Sequence, residues 1–373
     1  MNGTIEQYLG RLAAEGNLRS IPRECDFDGT VDFSSNDYLG LSAMTGLQEE
    51  FLVKVLDEGR WAMGACASRL LATRQQAFDR LESTICGAYG GRAALLFGSG
   101  YHANTGIVAA IADKNTTIVA DRLVHASIID GIRLSGAKLA RFRHNDLGHL
   151  ASLAGKEAAA GRKVVIIAES VYSMDGDSPD IAGLVDIKRS LGNNAFLMVD
   201  EAHAIGVSGQ AGLGLCKPYL KDVDIMVGTF GKALASAGAF AVCSQGMREY
   251  LVNRCRSLIF STSQAPITAM WSELTFSRAL EMDTQRAHLR DMARRLAESI
   301  GSSVSGHIQC VIVGDPAKAV EMSHKLRNDG LCVLPVRTPT VPPGTDRLRI
   351  SLSAARAVVD IDSLAMAINR YSR

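Results

Sequence analysis

Short apolar runs that alternate with helix-like segments restrict the fold of this sequence more than any other feature. Seven predicted strands span 93–97, 117–120, 138–142, 164–168, 195–199, 225–227 and 238–243. Most of these runs are continuously apolar, which is typical of strands buried on both faces of a parallel sheet. Their alternation with helices predicts an α/β fold, with a mostly parallel seven-stranded sheet covered by helices.

The pattern changes after this alternation. A long helical connector, bent or straight, is predicted over 265–300, and a smaller C-terminal α/β domain beyond it. Because 373 residues exceed one ordinary core, we predict an N-terminal helix and loop segment (1–40), a large domain (41–264) and the connector with the small domain (265–373). Further predicted helices are 4–18, 75–89, 101–112, 127 onward, 147–160, 181–191, 317–329 and 361–371, and further strands 31–33, 309–313, 331–335 and 347–352.

Composition and charge exclude several classes of protein. A net charge of +1 gives no bulk field to attract nucleic acid or an anionic membrane. No apolar run reaches the ~18 residues that span a bilayer, and the N-terminus has no signal-peptide core, so a cytoplasmic location is expected. The eight scattered cysteines form no C-x-x-C pair, which favours reduced thiols over disulfides or a metal site.

One predicted strand ends at a lysine. The run from Ile225 to Val227 is interrupted at Gly228, and Lys232 follows Gly231. A lysine at the mouth of a buried strand can lose its proton through desolvation and act as a nucleophile. Chemistry with a pyridoxal aldehyde needs such an amine, with a hydroxyl such as Thr229 for the cofactor phosphate. An ordinary solvated lysine gives the same local pattern.

Other polar residues follow predicted strands at the same edge of the sheet, where ligands of α/β proteins gather. Gly98–Tyr101 forms a glycine-rich turn that suits a phosphate or simply a tight packing turn. His125 stands where a helix begins, in a position that also suits a cap. Asp200 and His203 follow another strand, and a carboxylate there can pair with a protonated pyridine nitrogen.

Two nucleotide-binding alternatives fail on spacing. Asp200-Glu201-Ala202-His203 resembles a helicase acidic box, but the chain lacks the G-x-x-x-x-G-K-[ST] loop that this activity requires. The turn at Gly98 and Gly100 lacks the third glycine of a dinucleotide site. Neither function is expected.

Seven sequence blocks, in order, resemble the α-oxoamine synthases, which are pyridoxal-phosphate enzymes of fold type I. The resemblance covers nearly the whole chain. The blocks span 34–41, 121–127, 144–146, 171–177, 198–203, 229–234 and 339–345. Within the family, the Thr-Phe-Gly-Lys block at 229–232 and the block beginning at Pro339 are most similar to the members that use alanine in biotin synthesis.

The resemblance implies a role for each matching residue. Lys232 would form the Schiff base with pyridoxal 5′-phosphate (PLP), and Asp200 would pair with the ring nitrogen. His125 would stack on the ring, and His203 would contact it near its phenolic oxygen. The remaining implied residues bind cofactor or substrate: Ser173 at the ring; Gly100, Tyr101 and Thr229 at the phosphate; Ser261 and Thr262 at the phosphate of a partner subunit; Arg349, Asn36 and Thr340 at the substrate.

The implied reaction joins L-alanine to pimeloyl-CoA or a pimeloyl carrier protein, giving 8-amino-7-oxononanoate, carbon dioxide and free thiol. The implied enzyme is a homodimer with its active site at the interface, and it involves neither nucleic acid nor membrane. Two alternatives stay open: another family member, such as a glycine C-acetyltransferase, and a non-catalytic subunit.

The sequence departs from the family pattern at several positions that do not form the imine. Ala67 and Thr73 stand where glycines are usual, and Phe78 and Arg356 where histidines are usual. Ala204-Ile205 replaces a more polar pair. These positions bear on the acyl chain and the subunit contacts rather than on the cofactor.

Overall fold

The computed structural model describes residues 2–19, 21, 29–59, 61–73 and 75–372. The chain forms two compact units, a larger one of residues 39–172 and 178–286 and a smaller one of residues 1–38, 173–177 and 287–373. The predicted division at 40 and 264 stays a prediction, although in the structure residues 265–286 belong to the larger unit. The seven described cysteines are free thiols, and Cys25 lies outside the described residues.

Thirteen helices and twelve strands are described. The helices are α1 (Asn2–Ala14), α2 (Thr45–Glu58), α3 (Gln76–Ala88), α4 (Gly100–Ile111), α5 (Ala126–Ser135), α6 (Leu147–Ala159), α7 (Ile181–Ser190), α8 (Gln245–Arg254), α9 (Arg256–Ile259), α10 (Pro266–Leu280), α11 (Asp283–Ile300), α12 (Pro316–Asn328) and α13 (Val358–Tyr371). The strands are β1 (Val31–Asp32), β2 (Ala93–Phe97), β3 (Thr116–Asp121), β4 (Lys138–Phe142), β5 (Lys163–Glu169), β6 (Ala195–Asp200), β7 (Ile225–Thr229), β8 (Ala239–Cys243), β9 (Ile308–Ile312), β10 (Leu331–Cys332), β11 (Leu334–Val336) and β12 (Arg347–Ser351).

The larger unit is built on one seven-stranded sheet of order β2-β8-β7-β6-β5-β3-β4. Strand β8 runs antiparallel to both of its neighbours, and the other pairings are parallel. The predicted mostly parallel seven-stranded sheet is therefore confirmed. Every residue of β3, β7 and β8 is buried, as expected for strands covered by helices on both faces.

The sheet brings polar residues together at one edge. Asp121, Glu169, Asp200 and Thr229 are the last residues of β3, β5, β6 and β7. Glu169 is paired with Asp200, and Asp200 with Val227, so these strand ends lie side by side. The carboxyl edge of a parallel sheet is where such folds bind ligands.

The smaller unit contains an antiparallel sheet of order β11-β12-β9 and a parallel pair of β1 and β10. Residues 173–177 belong to this unit. A Cβ on Gly176, whose φ is +76°, would lie 2.1 Å from the carbonyl oxygen of Ile308, so this close approach requires glycine. Cys310 and Arg347 both donate to the carbonyl oxygen of Met174 and hold the same segment.

Three details differ from the sequence predictions. The single predicted helix over 265–300 is two helices, because α10 ends at Leu280 and α11 begins at Asp283. The buried guanidinium of Arg286 donates to the carbonyl oxygens of Ala279 and Leu280, which caps the end of α10. The predicted strand 331–335 is divided between β10 and β11, and α2, α8 and α9 were not predicted.

Within the described residues, no helix has the length and apolarity to cross a membrane.

Candidate active site

Lys232 lies in the turn that follows β7. The hydroxyl of Thr229 accepts from Gly231 N at 3.2 Å, and Phe230 N donates to the carbonyl oxygen of Gly238 at 3.0 Å. These bonds close the turn and leave Lys232 partly buried. Its Nζ lies 2.7 Å from Nε2 of His203, whose residue is only 5% exposed. The structure therefore brings the predicted amine and the predicted histidine into direct contact.

Asp200 is held by neutral donors. Its Oδ2 accepts from Asn104 Nδ2 at 2.6 Å, and its Oδ1 accepts from Ala202 N at 2.9 Å. Both donors fix the orientation of this carboxylate, which is 5% exposed. The sequence analysis missed Asn104. Its neighbours His102 and Thr105 in α4 are also polar, so the sequence contains no clear signal, and only the structure shows that Asn104 is buried.

His125 precedes α5 and faces the same region. Its backbone N–H donates to Glu169 Oε1 at 2.5 Å, and its ring Nδ1 lies 2.8 Å from the hydroxyl of Ser127. His125 is partly exposed, yet partial burial lowers the pKa of its ring, and the charge of Lys232 lowers that pKa further against an opposing effect of Asp200. Its neutral form is thus favoured at neutral pH. Because the charges of Lys232 and Asp200 both act on the pKa of His125, the three side chains lie close enough to interact electrostatically.

The amino end of α4 lies beside Thr229. Ser99 caps the helix by accepting from His102 N at 3.2 Å. A Cβ built on Gly100 would meet only the side chain of Thr229, at 3.8 Å. Gly100 and Tyr101 open the helix, where the first N–H groups have no acceptor within the helix itself. The hydroxyl of Tyr101 donates to Asp130 at 2.6 Å, so backbone rather than side-chain contact is expected from it.

Asp121 fixes the turn that leads to His125. Its carboxylate is fully buried and accepts from Leu123 N, Asn145 N and His144 Nδ1 at 2.8, 2.9 and 3.0 Å. Burial raises the pKa of Asp121, but the hydrogen bonds from His144 and the two backbone groups outweigh it, so the pKa lies below its ordinary value. Asp121 is therefore ionised when the protein is folded at neutral pH.

The smaller unit gathers two other predicted residues, Asn36 and Ser173, around Arg349 on β12. Its guanidinium donates to the carbonyl oxygen of Ser173 at 2.6 Å, to Ser351 Oγ at 2.6 Å and to Asn36 Oδ1 at 3.1 Å. The same oxygen of Asn36 accepts from the hydroxyl of Tyr38 at 2.9 Å. These acceptors of Arg349 are all neutral, so they leave its charge for an anionic ligand.

The side chains of three predicted residues make fewer contacts than those described above. Thr340 is exposed in the smaller unit and accepts from Arg19 at 2.9 Å. Ser261 and Thr262 lie in the larger unit just after Phe260, whose ring is 70% exposed, and Ser261 Oγ donates to the carbonyl oxygen of Thr262 at 3.4 Å. None of the three is fixed by a buried contact of its side chain among the described residues.

Three of the six residues that depart from the family pattern lie at buried positions. Phe78, Ala204 and Ile205 are buried in the larger unit. The guanidinium of Arg69 lies 4.7 Å from the centre of the Phe78 ring, which is a cation–π contact. An apolar side chain at 78 therefore has a local partner in this chain.

A family model described as aminotransferase class I and II matches residues 28–368. The chain belongs to this family. Among relatives, the 8-amino-7-oxononanoate synthase of Chlorobaculum parvum is 48% identical over 384 residues, covering 97% of each protein. These findings confirm the resemblance stated from the sequence blocks.

Solved structures of other proteins are also similar to this chain. A serine palmitoyltransferase variant from S. paucimobilis with a bound PLP–myriocin aldimine has a TM-score of 0.84 at 27% identity, covering 92% of this chain and 87% of its own. The 8-amino-7-oxononanoate synthase of Francisella tularensis has a TM-score of 0.77 at 26% identity, covering 92% and 98%. Together with the sheet described above, they confirm the predicted fold type.

Proposed function

We propose that this chain catalyses the PLP-dependent condensation of L-alanine with a pimeloyl thioester, releasing 8-amino-7-oxononanoate, carbon dioxide and free thiol. The observation that carries the proposal is the contact of Lys232 with His203 beside the strand that ends in Asp200. The relative that is 48% identical carries the name of this enzyme.

The residues of the larger unit fit PLP. Lys232 would bind its aldehyde, Asp200 would keep its ring nitrogen protonated, and His125 would stack on the ring. The amino end of α4, at Gly100 and beside Thr229, would hold the phosphate. When bound, PLP supplies an electron sink that stabilises negative charge on the amino-acid α-carbon.

The side chains around the amine of Lys232 can accept and donate protons. Lys232 must release a proton to act as a nucleophile or base, and His203 lies within hydrogen-bonding distance of its Nζ. Partial burial and the neutral form of His125 keep positive charge away from the face on which it would stack. Lys232 or a neighbouring group takes the α-proton of alanine in this scheme.

The predicted substrate-binding residues of the smaller unit keep their roles as proposals. Arg349 would hold the carboxylate of alanine with two parallel N–H groups, which the planar guanidinium provides and an ammonium does not. Asn36 would contact the same substrate, with its carbonyl oxygen already engaged by Tyr38 and Arg349. Ser173 would contact the cofactor ring, and Thr340 the substrate.

A second copy of the chain is the proposed partner. Leu52, Val53 and Leu56 lie at helical spacing on α2 and are 59%, 60% and 70% exposed. A contiguous exposed apolar surface is typical of a site of protein–protein interaction. Ser261 and Thr262 would then contact the cofactor phosphate bound by the partner subunit.

A cytoplasmic location stays a prediction from the sequence.

The test is a panel of amino acids and acyl thioesters assayed for thiol release. Alanine with pimeloyl-CoA or a pimeloyl carrier protein is expected to give the highest kcat/KM, above glycine with acetyl-CoA. A preference for glycine would assign another reaction of the family. If the protein binds PLP but releases thiol with none of the amino-acid and thioester pairs, it would be a non-catalytic subunit.

A further inference from the structure

The turn after Lys232 contains a residue in an unfavourable conformation. Ala235 has φ +46°, in the left-handed region that residues with a Cβ rarely adopt. Its N–H donates to the carbonyl oxygen of Lys232 at 2.9 Å, and the next residue, Ser236, donates to the carbonyl oxygen of Phe230 at the same distance. The conformation of Ala235 is thus tied directly to the backbone of the lysine.

Two consecutive residues of α10 hold this turn from outside. Trp271 Nε1 donates to the carbonyl oxygen of Ala235 at 2.9 Å, and Ser272 Oγ lies 2.8 Å from Ser236 Oγ. Ser272 is fully buried. Trp271 is itself fixed by an edge contact with Phe51 of α2, with ring centres 5.1 Å apart. A strained residue persists only where its surroundings over-determine it, and these contacts supply that restraint.

We propose that Trp271 is a positioning residue for Lys232, acting through its hydrogen bond to the carbonyl oxygen of Ala235. Without that bond, Ala235 can relax toward a favoured φ, and the lysine carbonyl bonded to its N–H moves with it. Nζ of Lys232 would then leave the 2.7 Å contact with His203. The importance of this placement for catalysis rests on the proposed function, but the restraint on the turn does not.

The test substitutes Trp271→Phe, which keeps an aromatic ring against Phe51 and removes the N–H donor. Hydrogen exchange of the peptide that contains 230–237 is measured in the full-length protein, with and without PLP. Loss of one hydrogen bond predicts exchange of the Ser236 amide about 5- to 10-fold faster. The other tryptophan gives a matched control, Trp61→Phe, which is expected to leave this peptide unchanged. Equal exchange in all three proteins, or an equal increase in both variants, would overturn the proposal.

A second readout follows the lysine itself. The pH profile of the visible absorbance of the PLP-loaded protein is expected to shift in Trp271→Phe and not in Trp61→Phe. Adding Ala235→Gly to Trp271→Phe should restore the profile, since glycine adopts positive φ without penalty. An unrestored profile, or an unshifted one, contradicts the proposed role. Absence of visible absorbance in the unsubstituted protein would instead contradict the proposed function, and hydrogen exchange would still decide the restraint.

Discussion

The two units assemble their polar clusters in different ways. In the larger unit, Asp200 ends β6 and Lys232 follows the neighbouring parallel strand β7, so the sheet edge itself brings them together. In the smaller unit, the cluster is centred on Arg349 in the middle of an antiparallel strand and is completed by Asn36 and Ser173 from distant parts of the sequence. The first arrangement follows from topology, whereas the second depends on long-range contacts.

The same comparison separates groups poised for a ligand from groups that are already paired. Asp200 and Arg349 make hydrogen bonds to neutral partners. Arg347, two residues from Arg349, forms an ion pair with Asp175 at 2.6 Å. We therefore expect charge-removing substitutions at Asp200 and Arg349 to affect ligand binding and reaction, and substitutions at the paired groups to affect stability.

The largest effect is expected at Asp200. Asp200→Asn removes the charge that would hold the ring nitrogen protonated, and loss of one member of a buried ion pair predicts a fall in kcat/KM of about 100- to 1,000-fold. Thiol release at saturating PLP measures it. Asp186→Asn, on the exposed surface of α7, is the matched control. Activity within twofold of the unsubstituted protein would remove Asp200 from the site.

A smaller effect is expected from Arg349→Lys. Lysine keeps the charge but loses the paired N–H groups, so KM for alanine should rise about 10- to 100-fold with a smaller change in kcat. Arg347→Lys lies on the same strand and is expected to lower the thermal midpoint while leaving KM nearly unchanged. If both variants raise KM equally, the distinction between the two arginines is wrong.

Asn104 tests the larger unit at a residue that the sequence analysis missed. Asn104→Ala removes the 2.6 Å bond to Asp200, and a lost hydrogen bond to a charged group predicts about a tenfold loss in PLP affinity. Fluorescence or absorbance titration of the protein with PLP gives the affinity. Thr105→Val, which loses a bond to the carbonyl oxygen of Ser127 instead, should bind PLP normally. A normal affinity in Asn104→Ala would show that Asp200 needs no such support.

The smallest effect concerns stability and pH. The pKa of Asp121 is lower in the folded protein than in the unfolded chain, so the unfolded chain binds more protons in acid. Its contribution to stability is therefore present above the unfolded pKa of about 4 and is lost as pH falls through the folded value. The difference in thermal midpoint between the unsubstituted protein and Asp121→Asn should be constant above about pH 5 and shrink below it. A difference that grows in acid would contradict the direction of the pKa change.

Much of the larger unit was predictable because its strands are short, apolar and closed by polar or glycine residues. The strand 93–97 was predicted at its observed bounds, and Lys232, Asp200 and His203 were found from their positions after strands. Asn104 was missed because α4 also contains other polar residues, and the sequence does not reveal that Asn104 has a partner 96 residues away.

The smaller unit was less accessible to pattern analysis. Arg349 lies within a strand, and only the family resemblance singled it out, since no local pattern distinguishes it from Arg347. The break between α10 and α11 was missed because Arg286 caps α10 through contacts that periodicity cannot show. Tertiary hydrogen bonds, rather than local preferences, decide these features.

The most direct test of the central claim is to identify the lysine that carries PLP. The protein is loaded with PLP, reduced with borohydride and digested, and the peptides are analysed by mass spectrometry. The pyridoxyl mass is expected on the peptide that contains Lys232, with loss of visible absorbance on reduction, and neither feature is expected in Lys232→Ala. The exposed Lys221→Ala variant should behave like the unsubstituted protein. Label on another lysine, or its persistence in Lys232→Ala, would contradict the claim.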